Sequence, residues 1–196
     1  MSILYFTYGT LKRGFPNHRT LGERPPIFRG TFVTVGRFPL VVPKQAGCPN
    51  PGCAYTHRIS ALVDRVGTGD YVEGEVFEID EQMMIRLDAL ENYLPQDHEA
   101  SAFLRRTIDV RSAEDWGTRL SVEVYFVANG PRYTQMVEEG YADMVSRYTL
   151  AMAAQELKPC CVRDPGHAGE HDGTSVVLPM DGRSSSLIAF RDGEDG

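Results

Sequence analysis

No run of apolar residues in this chain approaches the ~18 that a membrane span needs. No basic segment followed by an apolar stretch leads into a small-residue cleavage site, so nothing points to export, and a cytoplasmic protein with reduced thiols is expected. Positive charge is also scarce. Lys and Arg number 20 against 27 Asp and Glu, a formal net charge of −7 over 196 residues, which argues against a general binder of nucleic acid or of anionic membranes. The basic pairs Lys12–Arg13 and Arg105–Arg106 are too short to track phosphates. Internal repeats are lacking. "GTLKRG" (Gly9–Gly14) has the glycine spacing of a P-loop, but Phe15 and Pro16 stand where Lys and Ser/Thr must follow. Without the phosphate lysine and the magnesium hydroxyl, the nucleotide reading fails.

What is present suits one domain with a real core, residues 1–157, and an appended Gly/Asp/His-rich tail, residues 158–196, too polar to bury much core alone. Ile3 to Tyr8 reads as a buried strand stopping at Gly9. Gly22–Pro26 is turn-forming; Thr31–Val35 and Pro39–Val42 are strand candidates broken at Gly36. "YVEGEVFEI" (Tyr71–Ile79) alternates as a strand whose Gly74 permits a bulge or a close backbone approach. "DEQMMIRLDALENY" is the clearest helix, with Asp80 as N-cap and Pro95 beyond its end. "RRTIDVR" and Leu120–Val127 read as strands, and Thr134–Leu157 as a long helix with Tyr141, Met144, Val145, Tyr148 and Met152 on one face. Strands dominate and the two helices fall at irregular intervals, so the expected class is α+β around a mixed or barrel-like sheet.

Two places invite chemistry. At the strand end Tyr8-Gly9-Thr10-Leu11, Gly9 lets the backbone approach a ligand, and successive amides make a nest for a carboxylate or a developing oxyanion. The bland alternative is a turn in which Gly9 merely supplies a positive φ. The second place is the helix after Asp80. Met83, Met84, Leu87 and Leu90 form an apolar stripe, and Glu91 falls within it. A carboxylate on the packed side is desolvated, which lifts its pKa toward values useful to a base near neutrality. Its bland alternative is fraying into water or pairing with Arg105 or Arg106. Glu73 and Glu75 compete, but strand glutamates usually face solvent.

Together these residues resemble the γ-glutamyl cyclotransferase-like (AIG2-like) superfamily, and most of all its γ-glutamylamine cyclotransferase branch. "YGTLKRGFPNHR", "FPLVV", "YVEGEVFEIDEQMMIRLDALENY" and "VEVYFV" carry the resemblance, over roughly Ile3 to Val127. It implies a mixed β-barrel with flanking helices, a substrate pocket lined by Tyr8, Gly9, Thr10 and Leu11, and Glu91 as the acid/base residue. The implied reaction is attack of a γ-glutamyl α-amine on its own γ-carbonyl, releasing 5-oxoproline and an amine. It calls for no metal, nucleotide or covalent nucleophile. The implied partner is a small γ-glutamyl molecule, without nucleic acid or membrane, on a monomer or weak homo-oligomer. The chain departs from the pattern at Leu104, where relatives often carry Tyr in a Tyr-x-Arg. "AGCPNPGCAYTHRISA" looks like an insertion.

Cys48 and Cys53, with Cys161, His167 and His171, include zinc-type ligands, but their spacings are not those of a common finger. Free thiols, a Cys48–Cys53 disulfide and a structural zinc all stay open. The rivals to an enzyme are a catalytically silent binding module on the same fold and a zinc-dependent regulator. Within the enzyme reading the leaving amine is open: lysine from γ-glutamyl-ε-lysine, the amine of another γ-glutamylamine, an amino acid, or a biosynthetic intermediate from which a γ-glutamyl protecting group is removed.

Overall fold

The computed structural model describes residues 2–22, 26–44 and 60–154. The tail beyond residue 157, the stretch containing Cys48 and Cys53, and Cys161, His167 and His171 lie outside the described residues. Among the described residues no group of three or more His, Cys, Asp or Glu side chains is placed to hold a metal.

Five strands close into a barrel in the order β1 (Ile3–Thr7), β5 (Asp70–Ile79), β2 (Ile27–Phe38), β6 (Phe103–Ser112), β7 (Arg119–Val127). The seam between β1 and β7 is parallel, with Tyr5 opposite Glu123, and the other pairings are antiparallel. A second antiparallel sheet sets β3 (Leu40–Pro43) between β4 (Ala61–Leu62) and β8 (Ala142–Val145). Three α-helices, α1 (Glu81–Leu90), α2 (Gly130–Glu138) and α3 (Leu150–Ala154), and a 3-10 turn at His18–Leu21 complete the described part. This is the α+β architecture with a mixed barrel that the pattern predicts.

Side-chain alternation makes β1 serve two layers at once. Phe6 joins Val76, Val124 and Phe126 in one core cluster, while Tyr5 joins Phe77, Met83, Met84 and Leu87 in a second beneath α1. Gly74 is indispensable to this packing. A Cβ there would stand 2.5 Å from the Phe6 ring and from the Thr7 carbonyl, so the glycine marks a close approach of β5 to β1.

Helix α1 starts where its sequence says it should, since the Asp80 carboxylate accepts from the Met83 amide at 2.8 Å. Its apolar stripe is buried at Met83, Met84 and Leu87, each contributing roughly 2 kcal/mol by area removed from water. The end is as definite as the start. Asn92 adopts φ +48°, the Asn92 amide donates to Ala89 and the Tyr93 amide to Asp88, at 3.2 and 2.8 Å. This is a Schellman turn with Asn in the left-handed position, and Glu91 is its C-cap.

Two expectations are corrected. The break at Gly36 does not end a strand. β2 runs through it with a register shift against β5 between Val33 and Arg37, and the Thr34 hydroxyl repairs the ladder by donating to the Gly36 carbonyl and accepting from the Val72 amide. The chain leaves β2 before Pro39, which has no N–H to give. Nor is there one helix over Thr134–Leu157. Gly140, at φ +78°, closes α2 with a second Schellman turn, Gly140 donating to Val137 and Tyr141 to Met136. Ala142–Val145 then pairs with β3 as β8, and only Leu150–Ala154 returns to helix. The apolar spacing at Tyr141, Met144, Val145 and Tyr148 imitated a helical stripe, yet Tyr141 and Met144 are exposed and Tyr148 is buried in the barrel cluster.

Candidate active site

β1 delivers Tyr8 to a loop that folds over the end of the barrel. The carbonyls of that loop are occupied from within: Gly9 accepts from the Lys12 amide, Thr10 from the Asn17 amide at 3.1 Å, and Leu11 from His18 Nδ1 at 2.8 Å. Asn17 Nδ2 also donates to the Thr10 hydroxyl at 2.9 Å. Lys12 anchors the loop from behind; it is nearly buried and donates to the Tyr148 carbonyl at 2.5 Å. Burial lowers its pKa, an effect that Glu73 and Glu75 oppose. With the carbonyls turned into the loop, the amides of Thr10 and Leu11 have no acceptor among the described residues. That is the polarity an anion requires.

Gly9 does not adopt a positive φ; within "GTLKRG" that conformation belongs to Gly14. What Gly9 provides is proximity, because a Cβ there would stand 2.7 Å from Ser60 Oγ. The loop and Ser60 thus form one side of a cavity with about 40 Å³ of free space. Tyr8, Gly9, Thr10, Leu11 and Glu91 all line it, so the structure brings together the five residues the sequence singled out. Tyr5, Thr7, Ser60, Phe103 and Tyr125 line it as well and were missed. Strand alternation places Tyr5 and Thr7 on the Gly9 side of β1 and offered a signal for them. Ser60 lies next to the end of the segment that looked like an insertion and offered none. Leu104 follows Phe103 on β6 and faces the other side of the strand, away from the cavity wall.

Glu91 reaches the cavity from the end of α1. Neither arginine claims it: Arg105 pairs with Asp88 at 2.9 Å and with Glu123 at 3.5 Å, and Arg106 with Asp64 at 3.9 Å. Glu73 and Glu75 are elsewhere, paired with Arg147 and Arg13 beside a separate hollow of about 310 Å³. Glu91 is half-buried as a residue, but its carboxylate is surrounded by protein, and burial pushes its pKa up to about 7. Its place at the helix C-terminus, where carbonyl dipoles disfavour negative charge, acts in the same direction. Three phenols share the enclosure. Burial and then the Glu91 charge hold Tyr5 and Tyr8 well above the usual range, and Tyr125 is raised by burial, then by Asp88, with Glu91 a smaller contributor. A carboxylate whose pKa burial raises toward neutrality thus lines the same cavity as Thr10 and Leu11, whose amides have no acceptor among the described residues.

Residues 5–143 match the family described as γ-glutamyl cyclotransferase, AIG2-like. The chain belongs to this family. A γ-glutamylaminecyclotransferase from Rattus norvegicus is 36% identical over 126 residues, covering 63% of this chain and 76% of that protein. One from Homo sapiens is 40% identical over 92 residues, covering 45% of this chain, so the match spans about half, 53%, of the human protein. The fold is similar to the crystal structure of an AIG2-like protein from Mus musculus, with a TM-score of 0.57, 28% identity, and coverage of 76% of this chain and 88% of that one. The barrel is therefore the one this γ-glutamyl cyclotransferase-like family uses. Among the described residues no helix is long and apolar enough to cross a membrane.

Proposed function

We propose that this γ-glutamyl cyclotransferase-like chain is an enzyme that closes the γ-glutamyl group of a γ-glutamylamine into 5-oxoproline. The α-amine nitrogen attacks the γ-carbonyl carbon, forming the ring C–N bond and a tetrahedral oxyanion. The bond to the leaving nitrogen then breaks, and the amine departs with the proton the attacking nitrogen gave up. Glu91 is the proposed carrier of that proton, first as base and then as acid. The observation behind this role is a carboxylate with no partner among the described residues, its pKa pushed up to about 7 by burial, at the cavity. A carboxylate at its ordinary value holds the proton too weakly to return it to the departing nitrogen; one near 7 can do both.

The amides of Thr10 and Leu11 and the Thr10 hydroxyl are the proposed anion donors. Asn17 already donates to Thr10 Oγ1, so the hydroxyl proton of Thr10 is free to point into the cavity. These donors suit the oxyanion, the substrate α-carboxylate, or each in turn. The rings of Tyr5, Tyr8, Phe103 and Tyr125 form the remaining wall, where exclusion of water strengthens every charge interaction. Folding the flexible glutamyl chain into a near-attack conformation supplies a further part of the acceleration. The names of the rat and human relatives support an amine leaving group over an amino acid.

The test is release of 5-oxoproline from a panel of γ-glutamylamines, γ-glutamyl amino acids and glutathione, by wild type and by Glu91→Gln. Release by the wild type and none by the folded variant is expected, with γ-glutamylamines preferred. Turnover retained in Glu91→Gln would remove the proton carrier from the mechanism. No release from any member would favour a silent binding module on the same barrel.

A further inference from the structure

Two of the phenols around Glu91, Tyr8 and Tyr125, have their protons directed away from it. A neutral phenol has one proton to give. Tyr8 gives it to the Tyr125 carbonyl at 2.8 Å, and its oxygen receives the Leu62 amide. Tyr125 gives it to Asp88 Oδ1 at 2.6 Å, the Met84 sulfur at 3.5 Å being the poorer acceptor. Asp88 is bound by Arg105 Nη1, 2.9 Å from both carboxylate oxygens. The same residue acts through its backbone: its carbonyl receives the Tyr93 amide and closes the turn in which Glu91 is the C-cap.

We propose that Asp88 is a positioning residue for Glu91: by taking the only proton of Tyr125, it keeps that hydroxyl from donating to the Glu91 carboxylate. A donor on the carboxylate would stabilise its charged form and weaken it as a base that must also return the proton. Other titratable and charged groups face Glu91 as well. From β1 and its loop come Tyr5, which takes a hydrogen bond from Thr7, and Tyr8; from β6 comes Arg105, whose charge is met by Asp88 and by Glu123 of β7. Asp88 thus tunes a group it does not touch. Its bearing on turnover rests on the acid/base reading of Glu91; its bearing on the titration of Glu91 does not.

The experiment is an NMR titration of the Glu91 carboxyl carbon in the full chain, for wild type, Asp88→Ala, Asp88→Asn, Tyr125→Phe and the double variant Asp88→Ala/Tyr125→Phe. Asp88→Ala releases the Tyr125 proton, and the Glu91 midpoint should fall by about one pH unit. Asp88→Asn keeps an oxygen that accepts, so it should stay near the wild type. The double variant has no phenol proton and should return toward the wild-type midpoint. A fall that persists in the double variant would assign the effect to the unpaired Arg105 charge and overturn the proposal, as would no fall in Asp88→Ala. If Asp88→Ala does not fold, Tyr125→Phe decides. Its midpoint should match the wild type, because its proton was never on Glu91, and a rise would show that Tyr125 already donates there. Absence of 5-oxoproline release leaves each of these titrations readable, so failure of the activity and failure of the positioning role are separate results.

Discussion

Replacing Glu91 by Gln should make the protein more stable at neutral pH while removing its activity. The folded-state pKa of Glu91 is about 7, against 4.5 ordinarily, because burial penalises the charged form. In the unfolded chain that penalty is absent. Below about pH 4.5 both states hold the proton and Glu91 costs nothing in charge. As pH rises toward 7 the unfolded state ionises first, so the folded state binds more protons and stability falls; above 7 the loss is complete. The difference of about 2.5 pH units corresponds to roughly 3 kcal/mol, an upper figure because the cavity admits some solvent. Gln keeps the shape and never ionises.

The assay is urea unfolding of wild type and Glu91→Gln from about pH 5 to pH 8, where other groups titrate alike in both proteins and cancel in the difference. The advantage of Gln should be small near pH 5 and grow to as much as roughly 3 kcal/mol near pH 8, about 6–12 °C in Tm for a chain of this size. An advantage that does not change with pH would mean that Glu91 is solvated in the folded state. The cavity would then lose its base as well as its stability cost. Wild-type kcat/KM should show the same group as an acidic limb near pH 7, since the free enzyme needs the carboxylate ionised.

Gly74→Ala drives a methyl into Phe6 and the Thr7 carbonyl at 2.5 Å and should cost roughly 1–3 kcal/mol or more in denaturant unfolding; a neutral result would deny the close approach of β5 to β1. Gly9→Ala should move Ser60 or the loop and lower kcat/KM well below wild type with little change in Tm, because the conflict at 2.7 Å is with a side-chain hydroxyl and not with backbone. Asp80→Ala removes the acceptor of the Met83 amide and should cost about 1 kcal/mol, read from a lowered urea midpoint. Gly140→Ala has a sign that discriminates: about 1 kcal/mol destabilising at a left-handed turn, but stabilising by a similar amount inside the long helix that the sequence suggested.

Parts of the molecule set by local chemistry were legible in the sequence. Helix α1 announced itself by a capping carboxylate and a four-residue apolar stripe, and the stripe carried Glu91 to the packed side. β1, β5, β6 and β7 announced themselves by apolar runs and alternation. Of the second sheet only β3 was legible, because β4 has two residues and β8 four, too few for a period, and because β8 pairs with β3, about a hundred residues earlier. The site was legible for the same reason and to the same extent. Residues marked by a local irregularity, a glycine at a strand end or a carboxylate in an apolar stripe, were found. Tyr125 and Ser60 were missed because their roles come from what the barrel brings near them.

The arrangement around Glu91 also shows how a carboxylate can be held where it is poorly stabilised. Most buried charges are fixed by a partner, but a partner would pull the pKa of Glu91 down and defeat its proposed use. Among the described residues the work falls to the backbone instead. The Glu91 amide donates to Leu87 at 2.9 Å, Asn92 takes the left-handed φ behind it, and Tyr93 is tied back to Asp88. The Asn92 carbonyl accepts from Ala102, whose own carbonyl accepts from Ala128 just past the end of β7. This chain of main-chain hydrogen bonds links the end of α1 to the starting end of β6 and the far end of β7. The carboxylate is thus placed by bonds that do not change when it gains or loses a proton. That separation, position from the main chain and proton affinity from burial, is what the proposed role of Glu91 as base and then acid would require of a group that does not move.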